Sequence, residues 1–248
     1  MEWSQKNNMK LHEHKFELMV HGASLNLLLH ELPFTNVLWS YHVSEDRVLR
    51  PSNELRDLGV NVRGDLSWSS HIELITTRAQ LMAAWVLSVF KSREESVMVP
   101  LYKSLIRSHL EYCCPIWSPN KIADVRKLEN VQRRFTAEIS GIQHLNYWYR
   151  LKSLQLMSLQ RRRERYILIQ MWKQLHKQSA GEITIRFRSE SRLGIQAIVP
   201  SVNHSSRLAN RSLYENSFAV NGARMWNALP SSITTIDSES SFRLKIAN

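Results

Sequence analysis

The sequence predicts an α+β fold, predominantly α: a short β-containing N-terminal part, then a helical bundle, then a partly irregular C-terminal tail. Three observations carry this expectation. Short apolar runs broken by Gly, Pro and polar clusters fill residues 1–63, apolar residues recur at steps of three and four over 64–180, and periodicity weakens over 181–248. At 248 residues, 43% hydrophobic and 22% charged, the chain is long enough and apolar enough to bury a core. Its longest apolar stretch, 83–90, is broken by Ser88 and falls far short of the roughly 20 residues a bilayer requires, so no membrane association is expected. The first residues lack the apolar centre of a secretory signal, and the expected location is intracellular, in nucleus or cytoplasm.

Taken in order, residues 15–20 read as a short strand ending at His21-Gly22, and 36–41 and 56–62 read as further strands. Ser70 with Glu73, and Ser92 with Glu95, fit capping boxes and predict helices over 71–91 and 94–112, the second ended by Pro115. Between 120 and 140, Val125, Leu128, Val131, Phe135 and Ile139 form one stripe, with Arg126, Lys127, Arg133 and Arg134 opposite. A further helix over 156–178 places Leu168, Met171, Trp172 and Leu175 on one side and Arg162, Arg163, Lys173 and Lys177 on the other. The Ser/Arg-rich stretch from 179 to about 210 reads as an extended connector, and 212–246 regains apolar and aromatic content.

Charge is the most informative feature of the composition. The net charge is +11, and residues 121–180 hold 13 Lys and Arg against 4 Asp and Glu, so one quarter of the chain carries most of the excess. A localised basic segment suits phosphate neutralisation, and the eight cations named on the two helices are the candidate nucleic-acid-binding residues. Aromatic residues beside them, above all in Tyr147-Trp148-Tyr149-Arg150, could stack bases. Other chemistries find little support. There is no phosphate-cradling glycine loop and no nucleophile elbow, and His12-Glu13-His14 lacks the four-residue spacing that faces two imidazoles onto one metal. The two cysteines, Cys113 and Cys114, are adjacent and read as buried apolar groups. No metal site and no cofactor are expected.

Five ordered blocks point further. Trp3-Ser4-x-Lys6-Asn7-Asn8-Met9-Lys10-Leu11-x4-Phe16-Glu17 and Leu58-Gly59-Val60-x5-Leu66-Ser67-Trp68-x2-His71-Ile72 are followed by Leu101-Tyr102-Lys103-Ser104-Leu105-Ile106-Arg107-x2-Leu110-Glu111-Tyr112. Then come Leu128-Glu129-x-Val131-Gln132-Arg133-Arg134 and Ser217-Phe218-x5-Arg224-x-Trp226-Asn227-x-Leu229-Pro230. Together they resemble the reverse transcriptases of non-LTR retrotransposons of the jockey/CR1 kind, in the part that follows the catalytic Tyr-x-Asp-Asp turn. The resemblance implies a palm-end and primer-grip remnant over 1–63, a thumb-like helical domain over 64–180, and a connector and tail over 181–248. It puts Lys15 where the family carries a candidate general acid, and matches Leu58, Gly59 and Val60 to the primer grip. RNA or a primer–template duplex would be the partner, bound without sequence preference.

The chain departs from the family in having no adjacent Asp-Asp pair. Polymerase chemistry needs clustered carboxylates that hold two divalent ions, so the chain by itself is expected not to be an enzyme, with magnesium belonging only to a complete polymerase. The alternatives are a domesticated protein-interaction fragment, an inert copy, or a thumb subunit that complements a separate RNA-directed DNA polymerase. Strands of 1–60 left without partners would also favour self-association.

Overall fold

A computed structural model describes residues 6–8, 12, 15–19, 42–44, 47–49, 51–178, 185–191, 194–200 and 214–247. Backbone contacts divide the chain into two units, 1–71 and 72–248. The described residues form an α+β structure dominated by helices.

In the first unit the strands are β1 (Leu18–Met19), β2 (His42–Ser44), β3 (Arg47–Val48), β4 (Pro51–Ser52), β5 (Glu54–Asp57) and β6 (Val60–Arg63). They pair in twos: β1 with β4 in parallel, β2 with β3 and β5 with β6 antiparallel. Of the strand expected over 15–20, the described residues 15–19 are strand only at Leu18–Met19, because Lys15 sits in a tight turn and its N–H donates to His12 O at 3.0 Å. The strand expected over 36–41 lies outside the described residues.

The single strand expected over 56–62 is instead a hairpin, with Asp57 paired to Val60. Leu58 and Gly59, at φ 44° and 91°, form its two-residue turn, the doubly left-handed geometry whose twist matches the flanking strands. A leucine in the first left-handed position hides the usual Asn-Gly or Asp-Gly signal. It is consequently 85% exposed, whereas Val60 is buried. Ser70 does not cap a helix either. It lies within the first turn and donates its hydroxyl to Glu54 Oε1 at 3.1 Å, while Asn61 N–H donates to His71 Nδ1 at 3.2 Å.

The helices are α1 (Ser69–Val89), α2 (Glu95–Leu101), a π-helical turn over Tyr102–Ile106, α3 (Arg107–Glu111), α4 (Cys114–Trp117), α5 (Ile122–Ala137), α6 (Tyr147–Ser153) and α7 (Leu159–Leu175). Beyond them lie the hairpin β7 (Phe187–Ser191) and β8 (Gly194–Ala197), then α8 (Phe218–Asn227), α9 (Ser231–Thr234) and α10 (Glu239–Lys245).

The helix expected over 94–112 is interrupted just beyond Pro100, whose missing N–H leaves a gap in the ladder, and the register widens to π over the next turn. Its N-cap is Glu94 rather than Ser92, and the neighbouring Arg93 guanidinium donates to Leu87 O at 2.7 Å and to Phe90 O, satisfying carbonyls at the end of α1. Pro115 does not stop this helix. The chain leaves it at Tyr112, turns through a left-handed Cys113 (φ 51°), and Pro115 enters the first turn of α4, where a missing N–H costs nothing.

Of the expected stripe, Leu128, Val131 and Phe135 on α5 and Ile139 just past its end are buried while Val125 is half-buried, and Tyr102 stacks on Phe135 at 5.4 Å between ring centroids.

The stretch expected to be an irregular connector contains the β7–β8 hairpin, and the tail does not stand apart. Leu168, Met171 and Trp172 of α7 form one core with Ile185, Ala197, Ala223, Trp226 and Phe242, so the boundary expected at 180 falls within a single packed cluster. The hairpin escapes sequence reading for an intelligible reason: Ala197 is buried and Phe187 and Ile195 are half-buried, with Ile185 buried just before it, too few to stand out among Ser and Arg.

Four hydrogen bonds fix this layer. Trp172 Nε1 donates to Ile236 O at 2.7 Å and Trp226 Nε1 to Ile195 O at 2.8 Å, while the Asn227 amide bonds both Ala197 N (2.7 Å) and Ala197 O (2.9 Å). Gly222 lets α8 approach α7 closely, since a Cβ there would meet Met171 Sδ at 2.9 Å. Trp226→Ala should therefore lower the unfolding free energy by about 3–5 kcal/mol in urea titration, and a loss below about 1 kcal/mol would mean that the tail does not belong to this core.

Candidate nucleic-acid interface

The helix α5 is held against its neighbours by a buried polar network. Tyr102 OH donates to Gln132 Oε1 at 2.6 Å, and Gln132 Nε2 donates to Tyr147 OH at 2.8 Å and Met157 O at 3.1 Å. Tyr147 OH in turn donates to Glu129, whose carboxylate also accepts the Leu159 N–H at 3.1 Å, satisfying an orphan amide at the start of α7. Burial foremost pushes both phenols up, and for Tyr147 the bond to Glu129 adds to it, so each stays protonated at neutral pH.

Arg150, also buried, donates to Leu145 O at 2.9 Å and to Arg133 O at 3.0 Å near the end of α5. It serves the fold and leaves Trp148 and Tyr149 of the same stretch exposed.

With α5 so oriented, Arg126, Lys127, Arg133 and Arg134 are all exposed, as the periodicity predicts. Lys127 Nζ lies 3.8 Å from Glu73 Oε2, and the Arg133 guanidinium stands 4.7 Å over the Tyr147 ring.

The expected basic face of α7 needs correction, because α4 packs on one side of this helix and the C-terminal layer on another. Arg162 is half-buried in a two-pronged ion pair with Glu111, donating from Nη2 to Oε2 at 2.9 Å and to Tyr166 OH at 2.8 Å. Burial pulls its pKa down, but the Glu111 bond outweighs this and holds it above the ordinary value. Arg163 is only 2% exposed and its Nη1 has no hydrogen-bond partner, so burial lowers its pKa. Lys173 is half-buried at 3.8 Å from Glu239 Oε1, and only Lys177, just past the helix end, is freely exposed.

In the first unit Lys15 is exposed, Leu58 and Gly59 make the hairpin turn, and Val60 begins β6. Among the described residues no group of three or more His, Cys, Asp or Glu converges as a metal would require, and no helix is long and apolar enough to cross a membrane.

A cleft of about 800 Å3 runs between α5, α7 and α8, and Arg126, Arg133, Arg163 and Trp148 all line it. Guanidinium groups and an exposed indole in one open depression provide both anion pairing and a stacking surface. Sequence reading found Arg126, Arg133 and the aromatic run but missed the network beneath them. A signal was available: Gln132 lies four residues after Leu128 and three before Phe135, inside the apolar stripe, where an amide must find buried partners.

Comparison with known proteins finds no matching family model, no matching curated protein and no matching solved structure.

The two cysteines differ in environment. Cys114 is buried, and burial foremost, with Glu111 adding, pushes its thiol up to about 12, whereas Cys113 is partly exposed. A thiolate-selective reagent at pH 8 should modify one cysteine in the native chain and both after denaturation. Two fast-reacting thiols in the native chain would contradict the placement of α4.

Proposed function

We propose that this chain binds RNA or DNA without sequence preference through the exposed cations of α5 and the cleft beside them, as a thumb-like, reverse-transcriptase-derived binding module of the non-LTR kind. The observation that carries the reading is the convergence of Arg126 and Arg133 with the exposed Trp148 on one cleft. Cations there would pair with phosphates while the indole stacks on a base, a combination that serves single strands of any sequence. The module supplies binding rather than chemistry, because the chain has no adjacent Asp-Asp pair to hold the two ions of a polymerase. Lys15, the turn at Leu58–Gly59 and the adjoining Val60 are then vestiges of the palm with no step to perform.

Binding should weaken steeply with salt, with a slope near −0.9 per duplex phosphate neutralised and about −0.7 for single strands. Changing Arg126, Arg133 and Arg134 together to Glu should abolish a gel shift at low salt while leaving helical circular dichroism unchanged, since exposed substitutions usually cost less than about 0.5 kcal/mol each. Undiminished binding by a folded triple variant would refute the assignment.

A second reading, docking to another protein chain or to a second copy, draws on Leu81, Trp85 and Val89, which recur every four residues and are exposed on α1. On that reading Trp85→Glu disperses any self-associated species seen by light scattering, and an unchanged mass distribution removes it.

A further inference from the structure

Arg163 is a charged side chain that the fold places inside the second unit without fully pairing it. Breaking a buried ion pair or stranding a buried charge is costly, and proteins that merely pack such a position use an apolar residue. Arg163 lines the same cleft as Arg126 and Arg133, and its enclosed Nη1 has no partner. The two carboxylates lining that cleft, Glu129 and Glu164, favour the Arg163 charge through space, but their hydrogen bonds go elsewhere. Glu129 accepts from Tyr147 OH and Leu159 N–H, and Glu164 Oε1 accepts from Gln160 Nε2 at 3.0 Å. Apolar side chains, among them Ile167 and Met225, complete the lining beside the guanidinium groups.

We propose that the cleft holds the phosphorylated end of a nucleic-acid strand, the terminal phosphate bonded to Arg163 and to Arg126 or Arg133, and the terminal base stacked on Trp148. This deepens the binding function above and depends on it. A terminal phosphate suits the site better than one inside a strand for two reasons. As a monoester it carries up to two charges and three free oxygens, enough to answer several guanidinium donors at once. A phosphate within a strand must also lead chain both in and out past a side chain that is almost wholly enclosed. The volume of about 800 Å3 accommodates one nucleotide.

The test measures fluorescence anisotropy of labelled trinucleotides ending in a 5′-phosphate, a 3′-phosphate or hydroxyls only, with the full chain at one moderate salt concentration. A strand phosphorylated at one of its ends is expected to bind about tenfold tighter than the hydroxyl-ended strand, the scale of one charge-assisted contact. Adenosine monophosphate should compete for that preference better than adenosine or inorganic phosphate.

Arg163→Met keeps the volume but leaves the buried Glu129 carboxylate without a nearby cation, so its folding is checked by circular dichroism and the preference should then fall to about one. Arg163→Lys, which keeps the charge beside Glu129 but loses the planar fork, is the second variant and should also lower the preference. Trp148→Ala, at a position 62% exposed, should weaken phosphorylated and hydroxyl-ended strands alike, since both offer a base. Equal affinity for all three ends, a preference that survives Arg163→Met, or equal competition by inorganic phosphate overturns the proposal while leaving general binding in place. Failure of every strand to bind even at low salt overturns both.

Discussion

The second unit depends on one constraint: a glutamine and a glutamate on the inward side of α5 must have their hydrogen-bonding groups satisfied away from water. Gln132 and Glu129 reach Tyr102 in the π turn, Tyr147 in α6, the carbonyl of Met157 and the first amide of α7. Each buried group left unpaired would cost about 1–3 kcal/mol, so the four segments are held in one register by the penalty for separating them. Apolar packing alone tolerates small slips, whereas a hydrogen bond near 2.8 Å does not. The basic face of α5 points outward because its polar inner face is fully committed.

A second consequence concerns the arginines. Along the sequence, 161–165 holds four arginines around Glu164 on one helix, and the simplest expectation is a solvated basic face. The structure distributes them. Arg162 joins Glu111, Arg165 donates to Arg243 O at 2.7 Å at the end of α10, Arg163 enters the cleft lining, and Arg161 stays exposed. The excess positive charge of residues 121–180 is therefore only partly available to a ligand, and the share on α5 matters more than its share of the count. Arginine rather than lysine suits this distribution, because its planar fork can satisfy two acceptors while staying charged in a partly buried place.

The C-terminal layer shows how a weak local pattern can be essential globally. Phe187, Trp226 and Phe242 carry little periodicity as a sequence, but Trp226 meets Phe187 edge-on at 5.8 Å and stacks near Phe242 at 5.7 Å, against Trp172 of α7. Large aromatic surfaces bury much area per residue, so a few of them close a layer that a regular stripe would otherwise need several turns to make. Each buried indole also finds a backbone carbonyl for its N–H, which fixes the orientation of the hairpin and of α9 as well as their proximity.

What the sequence determined by itself is what local physics controls. The α+β class dominated by helices, the stripe and outer cations of α5, and the existence of α1 and α7 follow from 3.6-residue periodicity, which reports which side of an element must leave water. Tertiary structure decided the rest. It turned the run at 56–62 into a hairpin through a left-handed Leu58 and widened the helix after Pro100. It also drew Arg162 and Arg163 inward and brought Trp148 beside Arg126 and Arg133. Periodicity says which face of a helix is apolar, but not which neighbour will cover a polar one. Only the positions of the other helices settle whether an arginine on α7 meets water, a carboxylate or a cleft wall.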